Sequence, residues 1–250
     1  MKKQIDLILN GKGGVGKSFF ATNFVQYLKD HQIEHVAIDT DNENSTLKRF
    51  HSDARFVNIG QSQQIDELFA TLETTPLVVV DCRAASTDIF LNYFAELKVF
   101  DLLESMGASL TVISPVNHDL DSVEQIRILE QAFHDHCTYA IVRNHAHSEH
   151  FSIYDSSKTR ARLLGELQAK EMTMPRLYDW LVAKLNQVNL PIGQALQHSS
   201  FSLMDRQRLK NWQRQFYEQI GLVRDILLPD EDIPESKPKT TKGNTTLRGS

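Results

Sequence analysis

The sequence predicts an α/β fold, a doubly wound and mostly parallel sheet with a helical C-terminal extension. Short apolar strands alternate with helical patterns up to about residue 175, which is typical of a parallel sheet covered by helices on both faces. The run Leu77–Asp81 begins with four consecutive apolar residues, as expected of a central strand buried on both faces. Beyond Arg176 the apolar spacing is wholly helical.

The predicted elements follow the apolar spacing in chain order. Strands are predicted at residues 5–9, 35–39, 77–81, 109–114, 138–143 and 171–175, with a further short apolar piece at 55–59. Helices are predicted at 19–30, beginning near Lys17, and at 65–72, 121–134, 158–170, 178–185, 192–197 and 204–220. We expect one domain over residues 1–228, of which 176–228 form the helical part, and a disordered tail over 229–250.

The composition is that of an ordinary soluble globular protein, with 41% hydrophobic and 24% charged residues in a chain of 250. A formal charge of −5 argues against wholesale wrapping of nucleic acid, although a local basic patch stays open. Two cysteines suit a reducing compartment better than a disulfide framework. Since no apolar stretch could span a bilayer and the N-terminus lacks a secretion signal, we expect a cytoplasmic protein.

A glycine-rich motif connects the first strand to the first helix. It reads Gly, four residues, then Gly-Lys-Ser, which is the spacing of a phosphate-binding loop. Such glycines let backbone N–H groups turn towards phosphate oxygens, and the N-terminus of the helix adds a positive end. We predict that Lys17 reaches the terminal phosphates and that the Ser18 hydroxyl ligates Mg²⁺. The predicted cofactor-binding residues of this segment are Gly11, Lys12, Gly13, Gly14, Val15, Gly16, Lys17, Ser18 and Phe19.

The motif carries a second lysine, Lys12, that phosphate binding does not need. Because Lys17 already supplies the cation of the loop, we expect Lys12 to have another task and no partner within its own subunit. The alternative interpretation is a solvated surface lysine beside an ordinary phosphate-binding loop.

Three carboxylates end predicted strands, where open α/β sheets place their ligands. Asp81 closes an apolar run and is predicted to hold Mg²⁺ through water. Asp39 and Asp41 form an Asp-x-Asp pair after the second strand. For Asp39 two interpretations stay open, support of the Mg²⁺ site and capping of the following turn.

Residues 12–18 read KGGVGKS and, with the later Asp-Thr-Asp segment, resemble the ParA/MinD family of deviant Walker A ATPases, which are P-loop NTPases of the SIMIBI class. The resemblance implies ATP and Mg²⁺ as cofactors and slow hydrolysis accelerated by a partner. It also implies a homodimer formed on ATP binding, in which Lys12 touches the nucleotide of the partner subunit. It assigns catalytic roles to Lys12, Lys17 and Asp41, with Asp41 orienting the attacking water, and metal roles to Ser18, Asp39 and Asp81.

The same resemblance suggests a base contact and a second switch loop. Family members often bind the adenine edge through an asparagine after a late strand, where this chain has Asn144, although an asparagine there is also an ordinary turn residue. The guanine-specific pattern Asn-Lys-x-Asp is absent at this point, which favours ATP over GTP. The loop after Asp81 departs from the family pattern, because it contains Arg83 and no glycine.

A narrower resemblance covers most of the chain up to about residue 228. Residues 9–19 and 38–46, with a late block at 191–196 and 204–210, look like the TraL/MobD/StbB group of ParA-like proteins from conjugative and mobilisable plasmids. The resemblance implies a role in plasmid transfer, mobilisation or stable inheritance, together with plasmid-encoded partners.

The C-terminal helix has an apolar face beside a basic stripe. The stripe consists of Arg206, Lys210 and Arg214, and by resemblance to ParA proteins it could bind DNA nonspecifically. A solvated flank of a core-facing helix is the alternative. Membrane contact is less favoured, and residues 221–228 are the segment that would make it.

Two further functions stay open beside an ATP-dependent dimer switch. One is an enzyme that phosphorylates or ligates a small molecule with ATP, as dethiobiotin synthetase does on a related fold. The sequence offers it no recognisable substrate pocket, since the loop after Asp41 supplies only Asn42, Glu43 and Asn44. The other is a membrane-cycling positioning ATPase of the MinD type.

Overall fold

Seven strands form one sheet in the computed structural model, which describes residues 2–229. The strands are β1 (Lys3–Ile8), β2 (Val36–Asp39), β3 (Arg55–Phe56), β4 (Leu77–Asp81), β5 (Ala108–Val116), β6 (Thr138–Asn144) and β7 (Lys170–Met174). Their order across the sheet is β3-β2-β4-β1-β5-β6-β7, with parallel pairing throughout the described residues. The predicted α/β fold is therefore confirmed. The tail predicted over 229–250 lies outside the described residues, apart from Pro229.

Helices cover both faces of the sheet. One face carries α3 (Ser62–Thr71), α4 (Thr87–Leu97), α5 (Val99–Ser105), α6 (Leu120–Phe133), α7 (Ser152–Asp155) and α8 (Lys158–Gly165). The other carries α1 (Lys17–Asp30), α2 (Thr46–Phe50), α9 (Asp179–Val188), α10 (Ile192–Ala195), α11 (Leu203–Leu222) and α12 (Arg224–Leu227). Because successive strand residues face opposite sides, Leu7 packs into the first layer and Ile8 into the second. The continuous apolar run of β4 follows from this double burial.

The helix predicted over 158–170 is too long, because α8 ends at Gly165. Two backbone hydrogen bonds close the helix, from the Leu167 N–H to the Arg162 carbonyl (3.2 Å) and from the Ala169 N–H to the Leu163 carbonyl (2.9 Å). Gln168 adopts a left-handed conformation between them (φ 52°). The chain thereby reverses and enters β7 at Lys170, whereas the apolar spacing alone continues the helix to that residue.

The C-terminal helices complete the second layer instead of forming a separate body. The apolar face of α11 is buried against α1, where the rings of Trp212 and Phe19 lie 5.3 Å apart and those of Phe216 and Phe20 lie 5.6 Å apart. The Ser202 side chain caps α11 at its N-terminus in a capping box with Asp205. Since α1 directly follows the glycine-rich loop, α11 packs against the helix that begins at the predicted site.

Candidate functional site

The predicted site residues meet at the carboxyl ends of three adjacent strands. Asp81 ends β4, and in the sheet it is flanked by Ile8 of β1 on one side and Asp39 of β2 on the other. The glycine-rich loop follows β1, and the Asp39–Asp41 segment follows β2. The topology therefore brings the loop and the two acidic segments to one edge, where doubly wound sheets bind ligands.

Two positions of the glycine-rich loop require glycine. Gly14 and Gly16 have φ of 77° and 100°, in the left-handed region that side chains disfavour. A Cβ at Gly16 would also lie 2.4 Å from the Asn144 amide nitrogen. Gly16 directly precedes α1, so the strain-free turn at Gly16 is what aims the N-terminus of α1 at the loop.

Lys17 lies inside the loop. Its Nζ donates hydrogen bonds to the backbone carbonyls of Asn10 (2.7 Å) and Lys12 (2.9 Å), and the side chain is buried. Burial lowers the pKa of the ammonium, whereas the neighbouring Asp81 carboxylate opposes this shift. Two backbone carbonyls of the loop therefore hold the cation at the start of α1.

Asp81 is a buried carboxylate without a hydrogen-bond partner for either oxygen among the described residues. Burial raises its pKa to about 7, and the nearby Asp39 and Asp41 add to this rise, whereas Ser18 and Lys17 counteract it. An unpaired buried carboxylate is destabilising unless a cation compensates it. Beside a serine hydroxyl, this pair of oxygen donors fits a divalent cation such as Mg²⁺.

Asp39 organises the chain that follows β2. Its carboxylate accepts hydrogen bonds from the backbone N–H groups of Asp41 (2.9 Å) and Lys48 (3.0 Å), so that it fixes both ends of the loop leading into α2. Burial raises its pKa, and these backbone hydrogen bonds oppose the rise. The described contacts of Asp39 agree with turn capping, one of the two interpretations that the sequence left open. Support of the metal site by Asp39 stays a prediction.

Asp41 lies at the rim of the site and is partly exposed. Its carboxylate accepts hydrogen bonds from the N–H groups of Glu43 (2.9 Å) and Asn44 (3.2 Å) and from the Asn44 side chain (3.3 Å). Partial burial acts to raise its pKa, but these hydrogen bonds outweigh it and hold the pKa below the usual range. Asp41 is therefore an ionised hydrogen-bond acceptor near neutral pH.

Thr40 connects the two acidic segments, and sequence reasoning missed it. Its buried hydroxyl donates to the Asp81 carbonyl (3.1 Å) and accepts from the Arg83 N–H (2.9 Å), while its own N–H also donates to the Asp81 carbonyl (3.1 Å). The next loop reaches the glycine-rich loop through the Ala85 N–H, which donates to the Gly11 carbonyl (3.0 Å). In the sequence, the place of Thr40 between Asp39 and Asp41 was the one signal of this role.

The expectation that Lys12 has no partner within its own subunit is wrong. Its Nζ forms an ion pair with the Asp121 carboxylate at the start of α6 (2.8 Å), which raises the pKa of Lys12. The side chains of Lys12 and Asp121 are 34% and 70% exposed, so that solvent and salt screen the pair. Lys12 thus lies on the outer rim of the loop, whereas Lys17 lies inside it.

Asn144 contacts the glycine-rich loop through its side-chain amide. Its amide nitrogen donates to the Val15 carbonyl (2.9 Å), its amide oxygen accepts from the Ala146 N–H (3.0 Å), and the side chain is buried. Both ends of the amide are therefore occupied by backbone groups. These contacts are those of the turn residue that the sequence left as the alternative, and the contact with an adenine edge stays a prediction.

The basic stripe on α11 is not a continuous set of available cations. Arg206 donates from Nη2 to the His198 carbonyl (3.1 Å), and Arg214 pairs with Glu218 one helical turn later (2.7 Å). Lys210 is exposed. The three residues therefore differ in their contacts. This favours a solvated flank of α11 over a DNA-binding stripe.

The segment that would contact a membrane, residues 221–228, is partly buried in the core. Val223, Leu227 and Leu228 are buried, and the Ile226 carbonyl accepts hydrogen bonds from Gln4 (3.0 Å) and Thr111 (2.8 Å). These contacts agree with the expectation that membrane contact is less favoured, although Leu222 is exposed. Within residues 2–229, none of the helices has the length and apolarity needed to cross a bilayer.

Comparison with known proteins agrees with the geometry of the loop. The family model of the CobQ/CobB/MinD/ParA nucleotide binding domain matches residues 7–188, which contain the glycine-rich loop and all three acidic strand ends. The chain belongs to this family. It is therefore a nucleotide-binding protein of the ParA/MinD type, and members of this family are P-loop NTPases.

Curated relatives and solved structures refine this assignment. The chain is 30% identical over 237 residues to Protein TraL of Escherichia coli, which covers 87% of this chain and 97% of that protein. It is 24% identical over 220 residues to Protein MobD of Acidithiobacillus ferrooxidans, covering 86% and 95%. Among solved structures, the septum site-determining protein MinD of Pyrococcus horikoshii, complexed with Mg-ADP, aligns with a TM-score of 0.52 at 12% identity, covering 89% of this chain and 98% of that one. The similarity to MinD concerns the fold alone.

Proposed function

We propose that this protein is an ATP-dependent dimer switch that acts in plasmid conjugative transfer, mobilisation or partition. The observation that carries the proposal is the different placement of the two lysines of the glycine-rich loop. Lys17 is buried among the backbone carbonyls of the loop, whereas Lys12 lies on the rim and is held only by an exposed ion pair. A second subunit that approached this rim would bring its own nucleotide within reach of Lys12.

The ion pair with Asp121 is compatible with this role. Salt and solvent weaken an exposed pair, whereas a polyphosphate offers Lys12 several strongly acidic oxygens at once. Exchange of the Asp121 carboxylate for phosphate oxygens would therefore favour the associated state. Because Asp121 repels phosphate and competes for Lys12, it would oppose association.

The remaining residues support slow hydrolysis. Ser18 and Asp81 would hold Mg²⁺, which when bound neutralises charge on the phosphates. Asp41 is ionised and lies at the rim, so it can accept a hydrogen bond from a water molecule and orient it. A carboxylate with a lowered pKa is a weak base, which agrees with an orienting role and a low intrinsic rate.

The nature of the nucleotide and the biological setting come from separate observations. The segment after β6 lacks the Asn-Lys-x-Asp pattern, which favours ATP. The similarity to TraL and MobD extends over 97% and 95% of the length of those proteins. This supports a function in the transfer or mobilisation of plasmids. Partners encoded by the same plasmid would then stimulate hydrolysis.

The proposal is tested by separating nucleotide binding from association. Lys12→Ala should bind a fluorescent ATP analogue as the parent protein does but fail to associate in Mg-ATP, as followed by sedimentation velocity. Asp121→Asn is the matched variant, because it removes the intramolecular partner and leaves Lys12 in place, so it should associate at lower ATP concentration. Unchanged association of Lys12→Ala would refute the dimer switch.

A further inference from the structure

Two large aromatic side chains stack on each other in solvent at the start of α9. The rings of Tyr178 and Trp180 lie 4.3 Å apart with an interplanar angle of 26°, and each side chain is 48% exposed. The other tryptophan differs in every respect. Trp212 is buried, and its indole N–H donates to the Pro175 carbonyl (2.7 Å), whereas that of Trp180 donates to no acceptor within residues 2–229.

Arginines adjoin this aromatic pair. The guanidinium of Arg208 lies 5.9 Å from the centre of the Tyr178 ring, and Arg176 precedes the pair on the loop after β7. Both arginines line a groove of about 350 Å³ between that loop and α11, together with the amide side chains of Asn211 and Gln215. Among the described residues, neither arginine pairs with a carboxylate.

The groove therefore combines positive charge, aromatic faces and amide groups on a chain whose formal charge is −5. A local cationic surface on an acidic protein is complementary to a polyanion. Because the aromatic rings are exposed, the partner should also carry flat apolar groups that can stack on Trp180. Unpaired nucleobases on a phosphate backbone satisfy both requirements, because every base has a stacking face. In a duplex these faces are covered by neighbouring base pairs.

We propose that the groove lined by Arg176, Tyr178 and Arg208, together with Trp180, which stacks on Tyr178, binds single-stranded nucleic acid. The backbone phosphates contact the two arginines, and a base stacks on the outer face of Trp180. Asp179 lies between the aromatic residues in sequence and reduces the positive charge of the groove. This site differs from the basic stripe predicted from the sequence, and it does not depend on the dimer switch.

Tryptophan fluorescence tests the proposal directly, because the chain contains only two tryptophans and Trp212 is buried. Titration with a 15-nucleotide oligothymidylate should quench the tryptophan emission, and most of this quenching should be lost in Trp180→Ala, because Trp212 also lines the groove but is buried. Trp180→Ala should weaken binding, measured by anisotropy of a labelled oligonucleotide, by about tenfold or more. Arg208→Gln should also weaken binding, and it leaves the Trp180 side chain intact if the first substitution disturbs α9.

The controls separate stacking from charge. Leu203→Ala alters an exposed apolar residue of α11 and should leave binding unchanged, while Asp179→Asn should strengthen it. Equal affinity for a duplex, for an abasic strand or for polyglutamate would overturn the proposal in favour of a general anion site. Quenching by ATP alone with no effect of the oligonucleotide would assign the aromatic pair to the nucleotide instead.

Discussion

Two buried aspartates on neighbouring strands of the sheet differ in their hydrogen bonds. Asp6, in the middle of β1, accepts a hydrogen bond at Oδ1 from Gln4 (2.7 Å), whereas its Oδ2 has no partner among the described residues. Gln4 also donates to Thr111 (3.2 Å) and to the Ile226 carbonyl (3.0 Å), so the segment that contains α12 is hydrogen-bonded to the amino half of the sheet. Asp81, at the carboxyl end of β4, has no hydrogen-bond partner among residues 2–229 for either oxygen.

The difference shows which end of the sheet is adapted to a ligand. Burial raises the pKa of both carboxyl groups, so that each is less readily ionised than in water. At Asp6 a side-chain hydrogen bond partly offsets that penalty. At Asp81 the neighbours are a lysine, a serine hydroxyl and two further carboxylates, and a bound divalent cation would offset the repulsion among the three carboxylates.

Substitution of Asp81 should have the largest effect. Asp81→Asn should abolish the increase in melting temperature that Mg-ATP produces, because it removes the charged ligand of the cation. Without ligand the same variant should be more stable than the parent at pH 8. A carboxyl with a folded pKa of about 7 is increasingly destabilising as the pH rises from about 4 to 7.

Asp6→Asn is the matched control at a buried aspartate of the neighbouring strand. It should leave the Mg-ATP shift in melting temperature intact, since Asp6 bonds to Gln4, which contacts the C-terminal segment and not the glycine-rich loop. A normal Mg-ATP shift in Asp81→Asn, or its loss in Asp6→Asn, would show that the comparison between the two aspartates is mistaken.

His51 provides a third buried titratable group, this one fully hydrogen-bonded. Its Nε2 donates to the Thr22 carbonyl of α1 (2.9 Å) and its Nδ1 accepts from Lys29 (3.2 Å), which fixes the neutral tautomer. Burial lowers its pKa to about 4. Since the unfolded chain binds the proton first, His51 should contribute a fall in the free energy of unfolding of up to about 3 kcal/mol as the pH drops from about 6.5 to 4, opposite in sign to the contribution of Asp81.

Denaturant unfolding across this pH range checks the expectation for His51. His51→Gln keeps a donor for the Thr22 carbonyl and should remove this contribution, so that the stability of the variant relative to the parent increases as the pH falls from about 6.5 to 4. His147→Gln, at an exposed histidine, should leave the profile as in the parent protein. A His51→Gln profile as steep as that of the parent would assign the acid sensitivity to other groups.

Thr40 should give a smaller and more local effect. Thr40→Val has nearly the same shape but lacks the hydroxyl that joins the Asp81 carbonyl to the Arg83 N–H. Loss of this connection should reduce stability by about 1 kcal/mol and increase amide hydrogen exchange in residues 83–86. Thr40→Ser retains the hydroxyl and should behave as the parent does. Equal exchange in the two variants would mean that the loops are not coupled through Thr40.

The sequence predicted those parts of the molecule that depend on short-range pattern. The strand Leu77–Asp81 and the helix beginning at Lys17 were predicted because continuous burial and a strand–glycine–helix transition leave marks within a few residues. The apolar face of α11 was likewise visible in its spacing.

The sequence does not reveal contacts between distant segments. The partner of Lys12 lies more than a hundred residues away, and both ends of the Asn144 amide bind backbone groups that no side-chain pattern announces. The apolar residues of 221–228 likewise do not reveal that Gln4 and Thr111 hold the backbone of this segment. Hydrogen bonds to carbonyl groups leave no trace in the identity of the residue that carries them.

The most direct test of the account is the solution mass of Asp41→Ala by light scattering, first in Mg-ADP and then in Mg-ATP. Slowed hydrolysis should preserve the ATP state, so we expect the monomer mass in ADP and twice that mass in ATP. Asp41→Asn, which keeps an oxygen to accept the Glu43 and Asn44 N–H groups, should double its mass in the same way and thereby exclude an effect of loop disorder. A monomer mass in both nucleotides, with ATP bound, would contradict the dimer switch.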